Sequence, residues 1–247
     1  MTGVERKINQ LKNVVGNSRY LVCICGLGMQ VESGSTDFYD SDVSYDIEGQ
    51  YGYAFEEIFN TAFYSNRKER FYEFYRQEFI QKEIYPNEAY KTLGKLEQSG
   101  KLRVVITNGV HSLPQKGGCK RVVELHGNLN KNECPHCKKE YSKEYIKSTR
   151  KVPLCTECGT VIHPGVFLYG EMIDNSVITE AMEEVGRADV LLICGTNLSD
   201  KVCTNCIQYF HGDKLVIINS TPHFTDEKAD LVIYSQVKDV LPMLMQG

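Results

Sequence analysis

Four of the ten cysteines form two pairs, Cys134-x-x-Cys137 and Cys155-x-x-Cys158, with seventeen residues between the pairs. Two cysteines separated by two residues make a turn whose thiolates converge, and two such turns supply the four tetrahedral donors that Zn²⁺ prefers. Pro135, Lys138, Glu157 and Gly159 are turn formers around them. Four thiolates close the coordination shell, so the expected metal is structural zinc rather than a catalytic ion. His136 inside the first turn is redundant as a ligand. Cys203-x-x-Cys206 has no second pair nearby and reads as two packed thiols at a helix start, with a redox or metal role as the alternative. Cys23, Cys25 and Cys194 lie in apolar runs, where a free cysteine acts as a small hydrophobe. The first residues, MTGVERKINQLKNVV, carry no signal-peptide core and read as a first helix, so reduced thiols and a cytoplasmic location are expected.

A second candidate is the turn Gly26-Leu27-Gly28, which follows an apolar run. Glycines at a strand-to-helix turn let the backbone approach a pyrophosphate, and the helix start adds positive potential. The third glycine of the usual dinucleotide fingerprint is Val31, so the residues alone leave a simple tight turn as an equal reading. His126, just after another apolar run, has the side chain to serve as a near-neutral base. A structural histidine satisfied by its neighbours is the other reading.

The elements that must position these residues are legible as apolar runs. Tyr20–Cys25, Leu102–Thr107, Val122–Leu125, Asp189–Gly195 and Lys214–Asn219 read as buried parallel strands, with Leu231–Tyr234 as an edge strand. Helical stretches at Asn87–Ser99 and Asn175–Arg187 lie between them, which predicts an α/β fold built on a doubly wound parallel, Rossmann-like sheet. Ligands of such sheets sit at the carboxyl ends of the strands. The 247 residues are 42% hydrophobic and 24% charged, with a net charge of -4. This is globular composition without the basic surplus of a nucleic-acid binder, and no apolar run approaches the roughly 20 residues of a membrane span. Two segments break the alternation: an aromatic-rich helical stretch around 39–85, read as core packing with an apolar groove as the alternative, and the cysteine segment 128–163.

Taken in order, these blocks resemble the sirtuins, the NAD-dependent protein deacylases. Gly26, Gly28, Ser33, Gly34, Asp37 and Phe38 match the motif Gly-Ala-Gly-x-Ser-x-x-Ser-Gly-Ile-Pro-Asp-Phe-Arg in register. Thr107 to Gly118 falls on the family's Thr-Gln-Asn-Ile-Asp block, followed by Glu124-Leu125-His126-Gly127 and the paired cysteines. His163 to Glu171 resembles Arg-Pro-x-Val-Val-x-Phe-Gly-Glu, and Gly195-Thr196-Asn197-Leu198 resembles Gly-Thr-Ser-Leu. The resemblance implies that His126 is the catalytic base and that NAD is the co-substrate beside a structural zinc. It places Gly26, Gly28, Glu32, Gly195, Thr196 and Asn197 around the NAD phosphates and Asn219 at the adenine-side ribose. Phe38 would shield the ribosyl centre, with Asp37 bracing its loop. Phe167 and Tyr169 would line an acyl-lysine channel, and Gly170 and Glu171 would pair with the backbone of a protein or peptide substrate as an added strand.

The departures from the family pattern cluster. Tyr39 replaces the motif arginine, Asn108 the glutamine, Gly109 the asparagine that helps hold the nicotinamide ribose, and His111 the aspartate that binds the nicotinamide amide. Gln30 and Asn197 replace serines. The expected function is therefore a deacetylase or deacylase with an altered nicotinamide pocket, releasing nicotinamide, free lysine and O-acyl-ADP-ribose. Protein ADP-ribosyl transfer or NAD hydrolysis on the same fold, and a non-catalytic NAD- or ADP-ribose-binding module, are the alternatives. The expected layout is a Rossmann-like domain from 1–40, 93–127 and 164–247. A small domain would combine the helical insert 41–92 with the zinc-binding insert 128–163, and substrate and NAD would meet between the two.

Overall fold

Runs of Val, Ile and Leu become strands where both faces are covered. The computed structural model describes residues 3–199 and 201–245. Its main sheet holds β1 (Leu21–Cys25), β2 (Leu102–Thr107), β3 (Val122–Glu124), β6 (Val190–Cys194), β7 (Lys214–Asn219) and β8 (Leu231–Tyr234), while β4 (Asn132–Glu133) and β5 (Glu140–Tyr141) form a separate ribbon. The sheet order is β3-β2-β1-β6-β7-β8 and every pairing in it is parallel. β8 is an edge strand, as expected, and the chain order reverses between β1 and β6. Crevices of doubly wound sheets open at such a reversal.

Each expected strand exists, with ends trimmed by a residue: Tyr20, Leu125, Asp189 and Gly195 lie outside the ladders. The Asp189 carboxylate accepts from Ser18 Oγ at 2.6 Å and from the Arg19 and Tyr20 amides at 2.7 and 3.0 Å. Those bonds set β1 beside β6. Asn87 and Ser99 are caps of the helix Glu88–Gln98, since the Asn87 side chain accepts from the Ala89 and Tyr90 amides. The first helix runs over Gly3–Asn17; Met1 and Thr2 lie outside the described residues. Among the described residues no helix is long and apolar enough to cross a membrane.

The chain separates into two compact units, residues 1–35, 85–125 and 174–247 in the first and 36–84 and 126–173 in the second. These boundaries differ from those drawn on the sequence, most at residues 164–173, which belong to the second unit. The first unit packs Val22, Ile24, Val104 and Ile106 of the sheet with Ala181, Val185, Cys203 and Cys206 of the helices Asn175–Arg187 and Lys201–Ile207. Cys203 and Cys206 are thus core thiols.

The second unit joins the ribbon to the helices Ser41–Tyr51, Phe55–Ile58, Thr61–Asn66 and Lys68–Tyr75. Its aromatic stripe is core. Phe38 stacks on Phe55 with centroids 4.4 Å apart, and Phe59 and Phe79 continue the stack. Asn132 ties the parts together, its Oδ1 accepting from Tyr75 Oη at 3.3 Å and from the Gly165 amide at 3.0 Å.

Candidate functional site

The glycine turn sits at the chain reversal of the first unit. The Gly26 amide donates to Cys194 O at 2.8 Å and the Gly28 amide to Gly195 O at 2.9 Å, so the loops after β1 and β6 are laced together. A Cβ on Gly26 would lie 2.3 Å from Thr196 Cβ, and one on Gly28 would lie 2.7 Å from Gly195 O. Glycine at these two positions is therefore what lets the two segments approach this closely. The short helix Leu27–Val31 follows directly.

Three polar atoms near this turn are buried and meet no partner among the described residues: Gln30 Oε1, Ser33 Oγ and Asn108 Oδ1. A buried polar atom without a hydrogen bond costs about 1–3 kcal/mol. The three lie on the helix and turn that follow β1 and on the loop that follows β2, and fit a polar ligand such as a dinucleotide. His111 is buried in the loop after β2, and Asn219 is buried at the end of β7, its Nδ2 donating to Thr221 O at 3.1 Å.

Some expected nucleotide residues are engaged elsewhere. The Glu32 carboxylate accepts from the Val237 and Lys238 amides, both at 2.8 Å, and anchors the turn to the helix Val237–Val240. Asn197 Oδ1 accepts from the Ser199 amide at 2.9 Å and closes its own loop.

In the second unit His126 is partly buried and precedes Gly127, whose φ is +79°. A Cβ at Gly127 would lie 2.2 Å from Gly165 O. This close approach lets 126–128 pair antiparallel with 165–167: His126 O accepts from the Phe167 amide at 3.1 Å, and the Asn128 amide donates to Gly165 O at 2.6 Å. The candidate base is thereby joined to the candidate acyl-lysine segment. Along that segment Ile162, Pro164, Val166 and Leu168 are buried while His163, Gly165 and Phe167 are partly exposed. That is the alternation of extended chain.

Tyr169 is held by backbone bonds to Phe59 and Thr61 at 2.9 and 3.0 Å. Its hydroxyl hydrogen-bonds that of Tyr39, and both rings meet Phe55 edge-on. Gly170 turns with a φ of +93°. The Glu171 amide donates to Leu168 O at 3.0 Å, so that amide closes a turn instead of standing open to an added strand. The Glu171 side chain is likewise engaged, with His163 Nε2 at 2.7 Å and the Leu168 amide at 2.9 Å. Asp37 Oδ1 accepts from the Tyr39 amide at 3.1 Å. Phe38, 8% exposed, belongs to the aromatic stack.

The sulfurs of Cys134, Cys137, Cys155 and Cys158 all lie within 4.8 Å of one another. Zn–S bonds of about 2.3 Å at the tetrahedral angle would separate sulfurs by about 3.8 Å, so the group fits zinc. Each turn tightens at one residue with left-handed φ, Lys138 at +63° and Gly159 at +70°. Their amides donate to Cys134 O and Cys155 O at 3.0 and 2.9 Å. Tyr141 Oη donates to Cys155 Sγ at 3.1 Å, support that suits a thiolate. The exposed His136 is not in the cluster.

Gln30 stands in the sequence only as a departure from the family pattern. Its match with a glycine at 109 was the signal that could have marked it.

A Sir2 family model matches residues 26–204. The NAD-dependent protein deacetylase of Clostridium acetobutylicum is 38% identical over 236 residues, covering 95% of this chain and 96% of its own. That of Clostridium perfringens is 36% identical over 239 residues, covering 96% and 98%. Among solved structures, Sir2 bound to acetylated peptide superposes with a TM-score of 0.81 at 28% identity over 97% of each chain. Sir2 with a p53 peptide and NAD+ superposes at 0.82, with 28% identity and 97% of each chain. The chain belongs to the Sir2 family, the sirtuins.

Proposed function

We propose that this chain is a NAD-dependent protein-lysine deacylase, with acetyl-lysine in a protein or peptide as the first substrate to test. The observation that carries the reading is the laced glycine turn at the β1/β6 reversal, together with its unpartnered buried polar atoms. The relatives' names, NAD-dependent protein deacetylase, agree with it. Acyl-lysine, NAD and water would give lysine, nicotinamide and O-acyl-ADP-ribose, with NAD supplying an electrophilic ribose carbon and carrying the acyl group away.

The residues divide this work. Gly26, Gly28, Gly195 and Thr196 would bring backbone against the phosphates, and Asn219 would face the adenine-side ribose. Asn108 and His111 would face the nicotinamide end. His126 would take the proton of a ribose hydroxyl as that oxygen attacks the acyl carbon, a task suited to an imidazole near neutral pH. Phe167 and Tyr169 would flank the lysine chain. Cys134, Cys137, Cys155 and Cys158 would hold a structural zinc. The thiolates this requires support a reducing cytoplasmic setting.

The test is a mass-spectrometric product assay with NAD, with and without acetyl-lysine peptide. Peptide-dependent O-acetyl-ADP-ribose supports the reading. Nicotinamide release that ignores the peptide overturns it in favour of NAD hydrolysis or ADP-ribosyl transfer. Binding of NAD with no product on an acyl panel overturns it in favour of a binding module.

A further inference from the structure

We infer that the Gln30 side-chain amide receives the carboxamide of NAD's nicotinamide, with Gly109 as the seat that makes room for it. The inference rests on the deacylase reading for the identity of the ligand. Gln30 is 3% exposed and Asn108 5% exposed, yet neither Gln30 Oε1 nor Asn108 Oδ1 meets a donor among the described residues. Two buried acceptors, one on Gln30 and one on the residue before Gly109, call for a ligand that donates.

Gly109 shows that Gln30 is built in. Its amide donates to Thr107 Oγ1 at 2.9 Å, which fixes its backbone. It is not among the glycines with left-handed φ, so the backbone alone does not demand glycine. The space does. A Cβ at 109 would lie 2.7 Å from Gln30 Cδ, 2.9 Å from Oε1 and 3.0 Å from Nε2. The Gln30 amide fills the volume that a side chain at 109 would use, so an amide carried on the short helix after β1 stands where position 109 has no side chain.

The sheet order indicates which end of the dinucleotide this is. The glycine turn for the phosphates lies between β1 and β6, and Asn219 for the adenine-side ribose follows β7, next to β6. The other nucleoside then lies on the β2 side, where Asn108 and Gly109 follow the strand. Phosphate oxygens only accept and would be repelled by two amide oxygens, whereas the carboxamide NH₂ donates.

Calorimetry with NAD and with ADP-ribose, each beside acetyl-lysine peptide, tests the inference on the zinc-loaded protein. Gln30→Ala is expected to weaken NAD about tenfold while leaving ADP-ribose, which has no carboxamide, within about twofold. Gly109→Ala is expected to do the same by displacing the amide. Gln30→Ala combined with Gly109→Asn, which returns an amide from the other loop, is expected to recover most of the loss. NAD affinity within about twofold of wild type in Gln30→Ala overturns the inference, as do equal losses for NAD and ADP-ribose. A wild-type protein that binds NAD but forms no acetyl product overturns the deacylase reading and leaves this comparison standing. One that binds neither nucleotide overturns both.

Discussion

His163 Nε2 lies 2.7 Å from Glu171 Oε1, and this pair closes the loop that carries Phe167 and Tyr169. Burial pushes the Glu171 carboxyl up, but the bonds from His163 and the Leu168 amide outweigh it and hold the group below the usual carboxylate range. A depressed carboxylate contributes stability above its unfolded pKa, and that contribution is lost as pH falls through the lower folded value. The loop is expected to open in acid, below the ordinary range of glutamate. Hydrogen exchange at the Leu168 amide should rise there beyond its intrinsic pH dependence. Glu171→Gln should cost about 1.5–3 kcal/mol near neutrality and abolish the acid step.

Removal of the zinc is expected to loosen the ribbon of β4 and β5, because the four thiolates would join the Cys134–Cys137 turn between these strands to the Cys155–Cys158 turn. Metal analysis should find one zinc per chain in the purified protein. Cys155→Ser should lose it and lower the melting temperature. Cys203→Ser, in the core of the other unit, should retain it.

His126→Ala is expected to lower peptide-dependent product formation by about 10²–10⁴-fold, with zinc content unchanged. NAD affinity should stay within about threefold, because the imidazole is assigned to proton transfer.

The glycines divide by what surrounds them. Gly28→Ala should weaken NAD binding and cost about 1–3 kcal/mol, since its Cβ would lie 2.7 Å from Gly195 O. Gly49, inside the helix Ser41–Tyr51, has nothing within 4 Å of a Cβ. Gly49→Ala should stabilise by about 0.5–1 kcal/mol. Thermal melts of the two variants give the comparison.

What was legible in the sequence follows from the range of each signal. Strands such as Lys214–Asn219 were readable because a parallel strand covered on both faces becomes one apolar run. The cysteine turns were readable because metal-ligand spacing is local. Glu32 was not: the resemblance placed it with the phosphate residues, and its bonds to Val237 and Lys238 leave no local trace in the sequence. Nor was Glu171, whose amide and carboxylate are both consumed within its own loop. The aromatic stripe was readable as core packing between helices, and the ring stacking of Phe38, Phe55 and Phe79 agrees.

The bonds from Glu32 to the Val237 and Lys238 amides join positions 205 and 206 residues apart. During synthesis the glycine turn therefore emerges long before its anchor. A nascent chain that has reached only β7 holds every residue assigned to the phosphates but not the amides that fasten their loop. The last fastening of the glycine turn is thus acquired late in translation, after Cys194 and Gly195, which accept from the Gly26 and Gly28 amides, have already been made.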